Sequence, residues 1–224
     1  MMGESDFLPE NTPRGLPGPL PEGERILWQG APTASGVTMR AFHAQMVAGW
    51  FAVTALVFGS TSAAEGRFLQ ALSVSVPTLL IGAGALALLV LFGWLVHRTT
   101  VYTITDRRIV MHVGIALPIT LNLPFAMTEG AGLRLHADGS GDIPLQIKAG
   151  ERVAYLHLWP HARPWRVAQP EPMLRSVPDA GKVAELLARA LSAYAGRSDA
   201  AMPVIKTQTS VSDRPGVLVA AGAR

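Results

Sequence analysis

Two long apolar runs, at 44 to 62 and 74 to 96, dominate the hydrophobic pattern of this chain. The first carries no ionisable side chain between His43 and Glu65. At about 1.5 Å rise per residue it is long enough to cross a hydrocarbon layer of about 30 Å. The second has no charge from Ser73 to Val96 and stops at His97 and Arg98. Neither run has the polar stripe that a helix in a soluble core carries. The connecting segment AAEGRFLQALS offers roughly ten residues, too few for a domain, so the helices return antiparallel. The pattern predicts a transmembrane helical hairpin over 44–96. Its first run lies more than forty residues into the chain, behind a Pro-rich polar stretch, which argues against a cleaved secretory signal.

Small residues mark both helices. Ala48, Ala52, Ala55 and Gly59 recur at i, i+4, i+7 and i+11, and Ala83 and Ala87 lie one turn apart in GAGALA. Such faces let helices approach closely. They serve either the seam of the hairpin itself or the transmembrane helix of another protein, and a second copy of the chain is one such partner.

From Thr99 onward the period changes from helix to strand. TVYTIT and RIVMHVG alternate around Asp106 and Arg107 as a β-hairpin, and ITLNLPF, GLRLHA, DIPLQIKAG and VAYLHLW follow at spacings of about ten residues. A helix then closes the domain: Val183, Leu186, Leu187, Ala190, Leu191 and Tyr194 share one face, Ser176 and Asp179 match a capping box, Pro178 sits in the first turn and Gly196 ends it. The fold class is therefore α+β, a membrane hairpin plus an antiparallel sheet or barrel over 97–196 closed by a C-terminal helix. Residues 24–43 lead to the membrane and include the apolar knot Ile26, Leu27 and Trp28. Residues 1–23 and 197–224 lack apolar periodicity and are expected to be disordered.

Charge orients the hairpin. Arg14, Arg25 and Arg40 precede it and Arg98, Arg107 and Arg108 follow it, whereas the short loop has only Arg67 beside Glu65. The positive-inside rule puts both termini in the cytoplasm. Of the 19 basic residues 16 are arginine, yet they form no dense run, so nucleic acid is a poor partner. The chain has no cysteine, which excludes disulfides, thiolate nucleophiles and thiolate metal sites.

Tyr102, Ile104, Thr105, Arg108 and Ile109 in VYTITDRRIVM resemble the Y-x-[VI]-T-x-x-R-[IV] signature of bacterial pleckstrin-homology-like domains, with Tyr102, Thr105 and Arg108 as its polar members. That resemblance implies a membrane-anchored domain in the cytoplasm. Further segments, LPEGERILWQGAP, ITLNLPF, LHLWPHARPWR and PEPMLRSVPDA, resemble in order the family of photosynthetic complex assembly proteins encoded beside the reaction-centre H subunit in purple bacteria. This resemblance spans about Leu20 to Ala195. It implies a non-catalytic factor that promotes assembly of the photosynthetic reaction centre and its core light-harvesting complex (LH1), with their membrane subunits as partners.

Candidate chemistry concentrates in 157–175. Trp159 and Trp165 alternate there with His161, Arg163, Arg166 and Arg175 among prolines, a composition enriched at binding hot spots. Trp159, Arg163, Trp165, Arg166 and Arg175 are thus candidate contacts to an assembly client or to lipid headgroups. The alternative is a connection whose tryptophans pack on the closing helix. Gly82, Gly84 and Ala87 fit G-x-G-x-x-[GA], but inside an uncharged apolar run they lack the strand and crevice a dinucleotide needs. His43 and His97 lie near helix ends, where a pigment magnesium could accept either imidazole as a ligand and hydration is the ordinary fate. Asp138, Ser140 and Asp142 in DGSGD mimic the start of a calcium loop, but its twelfth position is Ala149, so a hairpin turn is the better account. No nucleotide, hydrolase or zinc-protease motif occurs, and neither enzymatic activity nor a cofactor is expected. The other function class that fits is a general membrane-anchored scaffold or lipid-binding protein.

Overall fold

The computed structural model describes residues 13–115, 117–148, 160–161, 171–198 and 206–207. Strand β1 (Ile26–Gly30) is followed by a helical turn α1 (Ala34–Gly36) that continues as a π-helical turn over Val37–Ala41. Helices α2 (Ala44–Ala64) and α3 (Phe68–Thr99) come next. Strands β2 (Val101–Thr105), β3 (Arg108–Val113), β4 (Ile119–Pro124), β5 (Thr128–Leu135), β6 (Gly141–Ile147) and β7 (Met173–Val177) lead to helix α4 (Ala180–Ser198), and β8 is the pair Lys206–Thr207.

Helices α2 and α3 form the antiparallel hairpin and are long and apolar enough to cross a membrane. The connection is shorter than expected. Only Glu65, Gly66 and Arg67 separate the helices, because Phe68–Ser73 is made of residues that continue a helix well and extends α3 to 32 residues, about 48 Å. Gly66 takes a φ of 74°, the left-handed conformation such a tight reversal needs. Pro77 withholds one N–H inside α3 without ending it.

The seam differs in part from the faces read in the sequence. Ala55 is buried and Ala48 and Gly59 are half-buried in it, but Ala52 is exposed. Phe51 turns the contact away from Ala52: a Cβ at Gly82 would lie 2.8 Å from the Phe51 Cβ, so the ring packs over bare backbone. On α3 the buried positions are Gly82, Gly93 and Val96. Ala83 and Ala87, about 100° and 140° around the helix from Gly82, are exposed and outside the seam. The Ser75 hydroxyl donates to the Ala55 carbonyl across the seam (3.0 Å).

Among the described residues the β domain forms two four-stranded sheets, ordered β1-β2-β3-β4 and β7-β6-β5-β8, with no ladder joining them into a closed barrel. Alternation along the strands sends Tyr102, Ile104, Ile109, Met111 and Leu123 from one sheet and Ile143, Leu145 and Leu174 from the other into a single core. Helix α4 covers it with the expected face, Val183, Leu187, Ala190 and Leu191 buried and Leu186 and Tyr194 packed against them. The Tyr194 ring meets Phe125 edge-on at 5.8 Å.

Five expectations are corrected here. Residues 13–23 are not a loose arm: Leu16 is buried, and Gly15 at φ 81° packs so close that a Cβ would meet the Val101 Cβ at 2.7 Å. That cover explains why all of β2 is buried on both faces. The capping box does not form, because Ser176 is held inside β7, its N–H donating to Asp142 Oδ1 (2.8 Å), while Asp179 alone precedes the first helical residue. Helix α4 continues past Gly196 to Ser198. In the C-terminal stretch, Lys206 and Thr207 lie parallel beside Gly132 and Leu133. Strand β7 itself falls where the sequence reads as a Pro-rich loop, and the expected strand VAYLHLW lies outside the described residues.

The junction between hairpin and sheets is tied at several points. The Thr33 N–H donates to the Ser176 carbonyl (2.8 Å), and Val37 is fully buried. Arg40 reaches the β5–β6 turn, pairing with Asp138 (2.5 Å) and donating to the Ser140 hydroxyl (2.8 Å). Asp138 in turn accepts from the Ser140 N–H (3.1 Å), so DGSGD is a hairpin turn as expected. Gly93 admits this junction, since a Cβ there would collide with Thr38.

Candidate functional site

Where α3 passes into β2, an apolar groove of about 480 Å³ opens between the end of the hairpin and the β3–β4 turn. Phe42, Leu89, Phe92 and Val96 form one wall, Gly114 and Ile115 another, and Pro160 and His161 close it beside Thr100. The turn is built on Gly114, whose φ of 125° and contact with the Leu117 carbonyl leave no room for a Cβ. It presents Ile115 and Leu117 outward, 40% and 80% exposed. A hairpin tip is normally polar. This one extends the apolar surface of α3 around the groove mouth.

The groove's inner end is polar, and its hydrogen bonds are satisfied internally. His161 Nδ1 lies 2.6 Å from the Tyr102 hydroxyl and Nε2 lies 3.3 Å from the Thr100 hydroxyl. The Tyr102 oxygen also accepts from the Arg175 N–H (3.2 Å). With that acceptor site used, Tyr102 donates its proton to Nδ1, and His161 carries its own on Nε2. Burial, reinforced by the positive charge of Arg175, pushes the His161 pKa down to about 3, so the ring is neutral. Burial likewise raises the Tyr102 phenol, against the pull of the Arg175 N–H. The two rings meet edge to face at 5.7 Å. The Met173 N–H donates to the His161 carbonyl (2.8 Å), which seats the polar segment on β7.

Of the proposed contacts, Arg175 is a half-buried β7 residue whose backbone joins this network. Trp159, Arg163, Trp165 and Arg166 lie outside the described residues. His161, which the sequence places among the polar residues alternating with Trp159 and Trp165, is fully buried, and Phe42, Phe92 and Ile115 join it in the groove without any mark in the sequence reading. The apolar turn G-I-A-L-P between two strands is a signal that could have found Ile115, and no local pattern marks Phe42, Phe92 or His161. His97 places Nδ1 2.7 Å from the Pro32 carbonyl, and His43 stands at the N-terminal end of α2 with φ 53°. Among the described residues no cluster of three metal-ligating side chains occurs.

The signature residues prove to be structural. Tyr102 anchors the start of β2 to the network above. The Thr105 hydroxyl accepts from the Arg107 and Arg108 N–H groups (3.1 and 3.0 Å) and donates to the Arg108 carbonyl (3.1 Å), closing the β2–β3 turn. Arg108 Nε pairs with Glu24 at 2.8 Å, a carboxylate only 2% exposed, which fixes the segment entering β1. With these roles defined, the sequence matches the family described as "Bacterial PH domain" over residues 49–191. The chain belongs to the bacterial PH domain family. Its match begins inside α2, so the family's region takes in most of the hairpin as well as β2–β7 and much of α4. A curated relative in Rhodobacter capsulatus, named as an uncharacterized 23.7 kDa protein in the puhA 5′ region, is 38% identical over 200 residues, covering 86% of this chain and 90% of that protein. No solved structure gives a significant match.

Proposed function

We propose that this bacterial PH protein is a non-catalytic assembly factor for the photosynthetic reaction centre and LH1, and that it holds client membrane subunits while they assemble. In this reading the hairpin spans the bacterial inner membrane, both termini are cytoplasmic, and the β domain sits against the membrane surface. Three observations support it: the relative's place beside puhA, the ordered segments shared with photosynthetic assembly proteins, and the outward-facing apolar side chains of the hairpin, such as Trp50 at 72% and Leu80 at 67% exposed. A core helix of a soluble domain would bury such side chains.

The observation that carries the client reading is the groove. It is apolar, preformed, and placed where a transmembrane segment emerging beside α3 would meet the β domain. A client helix held by the hairpin and an emerging apolar segment held by the groove are two weak contacts on one molecule. Each raises the effective concentration of the other, and the pair still dissociates when one is displaced.

Site-specific photo-crosslinking tests this. Benzoylphenylalanine at Phe92 or Ile115, in cells building the photosynthetic apparatus, should yield adducts with reaction-centre or LH1 polypeptides. The same probe at Lys182 on α4 should not. Adducts absent at the groove, or equal at both places, would remove the groove as the client site.

A further inference from the structure

A second cavity, of about 380 Å³, opens between the segment around Arg14 and the last turn of α3, and it too borders Thr100. Arg14, His97, Arg98 and Gln29 line it, and no carboxylate does among the described residues. Arg40, Arg67 and Arg108 each pair with an acidic side chain, whereas neither Arg14 nor Arg98 meets one among the described residues.

The cavity is built by packed residues. Arg14 is held by its neighbours, because Gly15 and Leu16 pack on the sheet and the Gln29 side chain donates to the Arg14 carbonyl (2.9 Å). Arg14 Nη2 donates to the Arg98 carbonyl (2.6 Å). This capping offsets the negative end of α3, which would otherwise repel an anion. The Arg98 guanidinium lies 5.0 Å over the Trp94 ring. His97 must donate from Nδ1 to the Pro32 carbonyl, which can only accept, and this leaves Nε2 as its remaining polar atom.

Position identifies the anion. The uncharged stretch of α3 ends at Val96, Trp94 lies within the preceding turn, and His97 and Arg98 follow at once. In a membrane-spanning helix that sequence falls at the level of the lipid phosphates. We propose that this cleft binds the phosphate of an anionic phospholipid, with Arg14 and Arg98 supplying the charge and His97 and Gln29 the flanking polar groups. The apolar groove on the other side of Thr100 remains the client site. The inference rests on α3 spanning the membrane and not on the identity of the client.

The test uses the full-length protein in mild detergent, titrated with short-chain phosphatidylglycerol and phosphatidylcholine, with bound lipid counted by native mass spectrometry. The wild type should favour phosphatidylglycerol about tenfold or more. The R14Q/R98Q pair should bring the two lipids near parity, R14K/R98K should keep most of the preference, and K182Q/R189Q, which removes the same charge from α4, should leave it unchanged. A preference that survives R14Q/R98Q, or that falls equally in the α4 control, overturns the proposal. So does a lysine pair as defective as the glutamine pair. Displacement of the lipid by millimolar inorganic phosphate would assign the cleft to a free anion and overturn the lipid source. Should the glutamine pair unfold, the lysine pair and the phosphate competition on the wild type decide the matter. Recovery of the chain in the membrane fraction tests the span separately, so a membrane-embedded protein without lipid preference refutes the cleft alone.

Discussion

His161 couples the stability of the β domain to pH. Its pKa falls from 6.5 in an ordinary environment to about 3 in the fold, through burial first and the charge of Arg175 second. The unfolded chain therefore binds a proton below pH 6.5 that the folded chain refuses. The folded state keeps its full stability above that pH and loses about 1.4 kcal/mol per unit as pH falls toward 3. Asp138 works in a separate window: the Ser140 hydroxyl and then Arg40 hold its carboxyl down to about 2, so its contribution is intact above its ordinary value and fades only below it. Between pH 6.5 and 5 the loss from His161 amounts to about 2 kcal/mol. Melting of the detergent-solubilised protein should show that loss in the wild type and a much flatter profile in His161→Gln; parallel profiles would contradict the assignment. Little of this was legible in the sequence. Tyr102, Thr105 and Arg108 stood out as a pattern, but their partners Glu24, Arg175 and His161 are up to 84 residues away and no spacing rule connects them.

At the scale of elements, the apolar runs, the β2–β3 hairpin and the buried face of α4 could all be read from periodicity, because each depends on local alternation that the core then uses. Strand β7 could not. Its residues MLRSV follow a Pro-rich stretch, and they become a strand through β6 and the Asp142 carboxylate. The hairpin seam was half legible: small residues announced close packing, but Phe51 decides which of them take part. Glycine at position 82 is therefore needed and glycine at 84 is not, since nothing lies within 4 Å of a Cβ there. Gly82→Leu should push the helices apart and destabilise the hairpin by about 1–3 kcal/mol, whereas Gly84→Leu should leave the melting midpoint of the solubilised protein nearly unchanged. Equal effects would mean that the seam runs elsewhere.

For the whole molecule, the bonds of Arg40 to the β5–β6 turn, of Thr33 to Ser176 and of Arg14 to the Arg98 carbonyl hold the hairpin and the two sheets in one orientation. The groove and the basic cleft both exist because of that orientation, since each is walled by the end of α3 and by a different part of the β domain. Neither was legible in the sequence, where Phe42, Phe92 and Ile115 stand in three unrelated segments and Arg14 lies in a stretch without periodicity. What the sequence did carry at this scale is an ordered set of segments that resemble those of photosynthetic assembly proteins. Those segments include the apolar knot of β1, the edge strand β4 and the region of β7, which between them frame the β domain.

The central claim is that this fold captures membrane subunits of the photosynthetic apparatus. Affinity purification of the tagged protein in mild detergent from photosynthetically grown cells, with mass spectrometry and a near-infrared spectrum of the same eluate, tests it most directly. The account predicts reaction-centre or LH1 polypeptides that are absent from a control with an unrelated tagged membrane protein. An eluate without those polypeptides, from cells actively building the complexes, would contradict it.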